Sequence, residues 1–271
     1  MSSFRALHRP GAPFVLANVW DIGSARVMAA LGAQALATSS AGFGFTRGLA
    51  DGGKLGRDAS LAHAQEIVAA TPLPVQGDFE DGFGEAPDVV AETVRLSGEI
   101  GLAGICVEDT ALPGQGFYEF DLAVERIRAG AAAARALPRD FMFCARADGL
   151  LTGGYDLPEA LRRIKAFAEA GADVLYAPMP TSMADLAAIC AATDKPVNAL
   201  AAGPFTQVPL ADYAAAGAAR ISLGSSLARA TQRVLIDAGS AVLQGDFSGL
   251  TPSAPAAEVD PLLQKGARNA G

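Results

Sequence analysis

Residues 168–175 read AEAGADVL, and within those eight positions the chain changes character. The Ala-rich, 3.6-periodic run before them asks for a helix. Gly171 supplies the left-handed residue that closes it, and an apolar, β-favouring run follows at once. The same punctuation recurs at residues 29–36 (AALGAQAL), 98–105 (GEIGLAGI) and 214–221 (AAAGAARI). A helix that ends in Gly and steps straight into a strand is a short αβ loop. Recurring through one chain, it signals a repeating βα unit.

Extending the pattern outward gives strands near 13–18, 34–39, 74–79, 103–108, 141–146, 173–177, 196–200 and 219–223. Helices are expected near 21–31, 58–70, 88–100, 121–136, 157–170, 182–192, 209–216 and 225–244, with Asp21, Asp58 and Asp121 as N-caps. Eight units in about 245 residues is the arithmetic of a closed α/β barrel of the (β/α)8, TIM type. A doubly wound open sheet is the main rival. It would show a Gly-rich nucleotide turn after an early strand, and none follows the first strand here. Residues 1–250 therefore read as a single barrel domain. The Pro/Ala-rich tail 251–271 is expected to be weakly ordered or used in an oligomer contact.

Composition narrows the partners. The 271 residues carry a net charge of −8, with no basic stripe, so neither nucleic acid nor an anionic membrane is expected. There is no charged-then-apolar leader, and no apolar run approaches the roughly 18 residues of a membrane span. Cys106, Cys144 and Cys190 form no close-spaced metal motif, which fits a reducing cytoplasm.

A barrel of this kind carries its active site at the C-terminal ends of its strands. Those ends present Ser39, Ser40 and Asp51, then Asp78 and Glu80, then Glu108 and Asp109, then Arg146 and Asp148, with Asn198 on the seventh strand. Any one of these acids could be a helix cap or a loop ion pair, and for Asp109 or Asp148 that reading is as good as the other. The role of Asp81 is equally open. Together they place several carboxylates around one arginine, a charge that cannot balance without a cation. Only His8 and His63 exist, and neither falls at a strand end, which removes the usual zinc ligands. Hard carboxylate oxygens suit Mg²⁺, or Mn²⁺ in its place.

Strand alternation turns Cys106 and Cys144 into the barrel, one layer below Glu108 and Arg146, where thiols usually pack and do not react. SLGSS (222–226) opens the last long helix. It could bind phosphate there, or Gly224 could simply make a tight turn.

Several segments together resemble the phosphoenolpyruvate mutase/isocitrate lyase superfamily: NVWDIGSARVMAALGAQALATSSAGFG, GLADGG, GDFEDGFG, VEDT, CARADG, KPVNAL, GARISLGSSLARA and QGDFSGL. The resemblance runs from about residue 14 to 250, in family order. It implies that Ser39, Ser40, Ala41 and Gly42 hold the carboxylate of a small 2-oxo acid. It makes Asp51, Asp78, Glu80 and Glu108 the acidic shell around Mg²⁺, with Glu80 in place of the more usual Asp. Arg146 would pair with a carboxylate or developing enolate, and Asn198 would be a further substrate contact. It also implies a homo-oligomer, dimer or tetramer, with a swapped eighth helix.

The departures concern the substrate. The family's isocitrate-type lyases carry a Lys-Lys/Arg-Cys-Gly-His motif on the loop after strand 4. Here residues 110–120 read TALPGQGFYEF, a lid without Cys, Lys or His. The expected function is a Mg²⁺-dependent, oxaloacetate decarboxylase-like lyase, with Arg146, Asp51 and Glu108 as catalytic residues. The alternatives are a phosphonopyruvate-type mutase or hydrolase, similar to carboxyvinyl-carboxyphosphonate phosphorylmutase, and a barrel that binds a metabolite without turning it over.

Overall fold

Eight parallel strands close into a ring: β1 (Phe14–Val19), β2 (Leu36–Thr38), β3 (Val75–Asp78), β4 (Gly104–Glu108), β7 (Met142–Arg146), β8 (Val174–Tyr176), β9 (Val197–Leu200) and β10 (Arg220–Ser222). Two further short strands, β5 (Thr110–Ala111) and β6 (Gly116–Phe117), pair antiparallel as a hairpin outside the ring. In this computed structural model, residues 3–114 and 116–267 are described. Each barrel strand pairs with the next in sequence, and β10 pairs with β1, setting Phe14 beside Arg220 and Leu16 beside Ser222. The ring is therefore the expected (β/α)8 barrel.

The crossovers are helical: α1 (Ile22–Ala30), α2 (Ser40–Thr46), α3 (Arg57–Ala70), α4 (Pro87–Glu99), α5 (Phe120–Ala136), α6 (Gly149–Thr152), α7 (Leu157–Ala170), α8 (Met183–Ala191), α9 (Leu210–Ala215) and α10 (Ser226–Val242). Gly32, Gly101, Gly171 and Gly217, which the recurring punctuation placed at helix ends, all have positive φ (102°, 92°, 106° and 91°). That conformation costs an L-residue with a Cβ, so the glycines let each helix turn sharply into its strand.

Helix starts followed the capping rules less evenly. Asp21 caps α1 as expected, accepting from the Ser24 amide while the Ser24 hydroxyl accepts from the Asp21 amide. Asp58 and Asp121 do not cap. Gly56 and Glu119 hold those positions, and the two aspartates fall in the first turns, where their charge favours the helix dipole.

Two layers of side chains fill the space around the ring. Outside it, residues such as Leu36, Ile67, Val94, Ile105 and Phe167 are buried against the helices. Inside, Leu16, Ala37, Met142, Cys144, Val174 and Tyr176 pack together. The N-terminal ends of the strands are plugged by the 3-10 turn Arg5–Leu7, with Phe4 and His8 packed edge-on around Phe14. Cys106 and Cys144 lie inside the barrel as expected, sulfur atoms 3.5 Å apart.

One polar layer interrupts this interior. Arg220 is 1% exposed, and its guanidinium bonds to Asn198 Oδ1 (2.8 Å), Gln76 Oε1 (2.6 Å), His8 Nε2 (3.1 Å) and Cys144 Sγ (3.2 Å). None of the four is a carboxylate.

Beyond the barrel, the tail carries a helix, α11 (Ala256–Lys265), which packs on α1. Gly266 ends it against the α1 backbone, where an added Cβ would fall 1.8 Å from the Arg26 carbonyl. α10 lies differently. It touches β1 and the 3-10 turn Ser248–Leu250 but leaves Val234, Leu235, Ile236 and Leu243 exposed. Among the described residues no helix is long and apolar enough to cross a membrane.

Candidate active site

A cavity of about 620 Å³ opens at the C-terminal ends of the strands. Ser39, Ser40, Ala41, Asp51, Asp78, Glu80, Glu108, Arg146 and Asp148 all line it, joined by Tyr176 and Arg229. The last two are not among the residues expected at the strand ends. Tyr176 was within reach, because it ends β8 directly beside Arg146 in the β7–β8 register. Arg229 sits on α10 and carried no such signal.

Each acid is held by a specific element. Asp78 ends β3, and its Oδ2 accepts from both the amide (2.9 Å) and the hydroxyl (2.8 Å) of Ser40, the first residue of α2. Glu80 stands at φ 47°, a left-handed conformation that strains any residue with a Cβ. The Gly53 amide donates to its Oε1 (3.0 Å), and the Glu108 amide donates to its carbonyl (2.8 Å). Glu108 ends β4 in register with Arg146, and the two side chains meet at 3.0 Å. Asp51 comes from the loop before α3 and faces Arg229 at 3.9 Å.

Arg146 occupies the middle. Asp148 grips its Nε and its Nη2 (2.7 Å), while Asp78 lies 3.8 Å from Nη1. Burial works against the Arg146 charge, yet Asp148 and Glu108 outweigh it and hold the guanidinium well above its usual value. The acids respond in the opposite sense. Burial, reinforced by neighbouring carboxylates, pushes Glu80 up to about 7 against the bond from Gly53. Burial also raises Glu108, well above the carboxylate range, and raises Asp51 and Asp148.

Two acids left open by the sequence have structural partners. Asp109 accepts from the Asp148 amide (2.8 Å), the Tyr155 hydroxyl (2.7 Å) and Arg163 (3.0 Å), and so fixes the turn that carries Asp148. Asp81 accepts from the Phe83 amide (2.9 Å) and the Tyr118 hydroxyl (2.7 Å). Neither lines the cavity, whereas Asp148 does.

Gly42 and Asn198 also stand apart from the cavity wall. Gly42 is buried beside Trp20, where an added Cβ would come within 2.9 Å of the Trp20 Cβ, and its amide bonds to the Ser39 hydroxyl. Asn198, expected as a substrate contact, is fully buried one layer down; its amide nitrogen donates to Ser222 and its oxygen accepts from Arg220. Leu200, two residues further along the same face, reaches the cavity.

At the SLGSS segment Gly224 has φ 53°, and the Leu223 and Gly224 amides both donate to Asn18 Oδ1 (2.8 and 3.0 Å). The turn commits those two amides to Asn18, while Gly224, Ser225 and Ser226 line the cavity.

The metal expectation needs a physical test. Among the described residues no three acidic, His or Cys side chains are gathered closely enough to hold an ion as they stand. Arg146 and the Ser40 and Gly53 donors occupy the carboxylates that would form such a cage. The donor chemistry nevertheless fits: five carboxylates and only two guanidiniums line the cavity. All five offer hard oxygen. Mg²⁺ keeps several waters and takes only one or two protein carboxylates beside its substrate, so a closed cage is not required.

The hairpin closes one side. Thr110 and Leu112 line the cavity, and Pro113 packs against Gly53, where an added Cβ would come within 2.8 Å. Gln115, expected in this lid without a catalytic part, lies outside the described residues.

A charged pocket at the C-terminal mouth of a closed βα ring defines a barrel enzyme. Residues 4–243 match the family of phosphoenolpyruvate phosphomutase, and the chain belongs to the phosphoenolpyruvate mutase/isocitrate lyase superfamily of lyases and mutases. A solved structure from Burkholderia cenocepacia J2315, described as a candidate lyase/mutase, is 42% identical with a TM-score of 0.91, covering 96% of this chain and 93% of that one. The oxaloacetate decarboxylase of Rhodopseudomonas palustris BisB18 is 34% identical over 63% of this chain and 59% of its own. The 2-methylisocitrate lyase of Escherichia coli K12 is 31% identical over 68% of this chain and 63% of its own. The names of these two enzymes belong to different reactions.

Proposed function

We propose that the protein is a Mg²⁺-dependent lyase that cleaves the bond β to the carbonyl of a small 2-oxo acid by way of an enolate, with oxaloacetate decarboxylation as the reaction that suits it best. One observation carries this reading: among the described residues, no Cys, His or Lys lines the cavity. Retro-aldol cleavage of an isocitrate-type acid must deliver a proton to a dicarboxylate carbanion, which calls for a positioned acid beyond the carboxylates engaged by Mg²⁺ and Arg146. Cys106 and Cys144 lie below the cavity wall and Cys190 is on α8, so no thiol is in reach. Loss of carbon dioxide leaves only a pyruvate enolate, which water can protonate.

Asp78, Glu80, Glu108 and Asp51 would hold Mg²⁺, partly through water, and the bound ion would polarise the 2-oxo carbonyl. The chain's own residues do the rest. Ser39, Ser40 and Ala41 orient the substrate carboxylate. Arg146 offers a planar fork to the oxygen on which negative charge develops. The hairpin over the cavity keeps bulk water away from that oxygen. The exposed apolar side of α10 supports a homo-oligomer in which that helix packs on a second copy.

The test is a panel of C3–C6 oxo- and hydroxy-acids and phosphonates, assayed for pyruvate, glyoxylate and phosphate with Mg²⁺ and with chelator. Metal-dependent pyruvate from oxaloacetate or a close β-substituted 2-oxo acid is expected. Efficient glyoxylate release from isocitrate would sink the reading, and phosphate from phosphonopyruvate would replace it with a phosphonate hydrolase.

A further inference from the structure

Thr110 opens the hairpin immediately after Glu108 and Asp109, borders the cavity, and is 7% exposed. Its Oγ1 is buried and, among the described residues, is the side-chain polar atom left without a hydrogen-bond partner. Folded proteins leave few such atoms, because each forfeits about 1–3 kcal/mol of lost hydration. Three neighbouring hydroxyls donate within the protein. Ser40 donates to Asp78, Thr152 to the Asp148 carbonyl and Ser226 to the Ala201 carbonyl.

The surrounding wall makes the vacancy informative. Asp78, Glu80, Glu108 and Asp148 can only accept when ionised, and Arg146 is already gripped by Asp148. A 2-oxo acid also presents only acceptors. The wall is rich in acceptors, and the Thr110 hydroxyl is a donor without a partner among the described residues. Packing does not explain the hydroxyl, since valine fills the same space. One χ1 step of about 120° moves the hydroxyl into another staggered position and carries the donor from its closed site to another face of the residue.

We propose that Thr110 is a substrate-binding residue whose hydroxyl donates to a carboxylate oxygen of the bound acid, and so helps decide which 2-oxo acid the pocket accepts. The inference rests on the reading of the pocket as a 2-oxo acid site.

Thr110→Val and Thr110→Ser test it against oxalate, a planar mimic of the pyruvate enolate, by calorimetric titration with Mg²⁺. Thermal unfolding without ligand and steady-state kinetics on the acid the panel identifies complete the set. Thr110→Val should melt at or above the parent temperature, since a buried polar atom without a partner is removed. Its oxalate affinity should fall about tenfold, with KM rising more than kcat falls, and Thr110→Ser should recover to within about threefold. A Thr110→Val protein that melts well below the parent would mean the hydroxyl serves the fold, and the inference fails. Unchanged oxalate affinity in that variant, while the parent binds, also overturns it and leaves the lyase reading standing. A parent that binds no oxalate and turns over no 2-oxo acid overturns both.

Discussion

Two arginines look into the same barrel from neighbouring layers, and their surroundings differ in kind. Arg220, below, meets an amide from each of Asn198 and Gln76, the imidazole of His8 and the thiol of Cys144. Arg146, above, meets Asp148, Glu108 and Asp78. Dipoles satisfy the lower cation without adding charge, and its layer is closed. In the upper layer carboxylates outnumber cations, and burial raises Glu80, Glu108 and Asp148 toward their neutral forms. Buried like charge of this kind destabilises a fold unless something positive joins it. The lower cation is matched by neutral partners, whereas the upper layer carries carboxylates in excess of its cations.

That contrast can be broken most forcefully at Asp78. Asp78→Ala should remove metal-dependent turnover by three or more orders of magnitude, about 4 kcal/mol, while the far-UV spectrum stays that of the parent. Activity that survived the change, or survived excess chelator, would mean the upper layer is only an ion-pair network.

A smaller loss is expected from Arg146→Lys, which keeps the charge but replaces the fork with a point. We expect kcat/KM to fall by about 2–3 kcal/mol, comparable to deleting one oxyanion donor. Full activity in the lysine variant would reduce Arg146 to a neutralising charge.

The lower layer is probed through His8. Its Nδ1 donates to the Phe4 carbonyl (3.0 Å) and its Nε2 accepts from Arg220, an arrangement that requires the neutral ring. Burial, then the Arg220 charge, lowers its pKa to about 3. A folded value below the unfolded one means the contribution is intact above about pH 6.5 and is lost as pH falls toward 3. By pH 4.5 the parent should therefore have lost about 2 kcal/mol more stability than His8→Gln, whose amide can accept from Arg220 without titrating. Denaturant unfolding at a series of pH values reads this directly; parallel curves for the two proteins would remove His8 from the network.

The barrel was legible because its two periods and the glycine that separates them are local properties. Gly32, Gly101, Gly171 and Gly217 each mark a junction by backbone sterics alone. Helices α2 and α6 escaped notice because SAGFGFT and GLLT are too short and too glycine-rich to show a period. For the candidate site, strand ends pointed to the right neighbourhood but not to the depth of each side chain. Asn198 sits beside Arg220 and Tyr176 in the strand register, and only closure of the ring decides that its amide turns down to Arg220. Thr110 was invisible for a related reason: an absent hydrogen bond is a property of the whole surroundings.

Arg229 lines the cavity from the first turn of α10, the helix whose apolar side lies open at Val234, Leu235 and Ile236. If a second copy covers that side, the position of Arg229 at the mouth depends on assembly, and two equilibria share one helix. Mass action then ties the melting temperature to protein concentration. By linkage, a ligand that favours the assembled arrangement tightens the assembly by the factor by which assembly tightens the ligand. Dilution would act on this enzyme as an inhibitor does, without occupying the pocket.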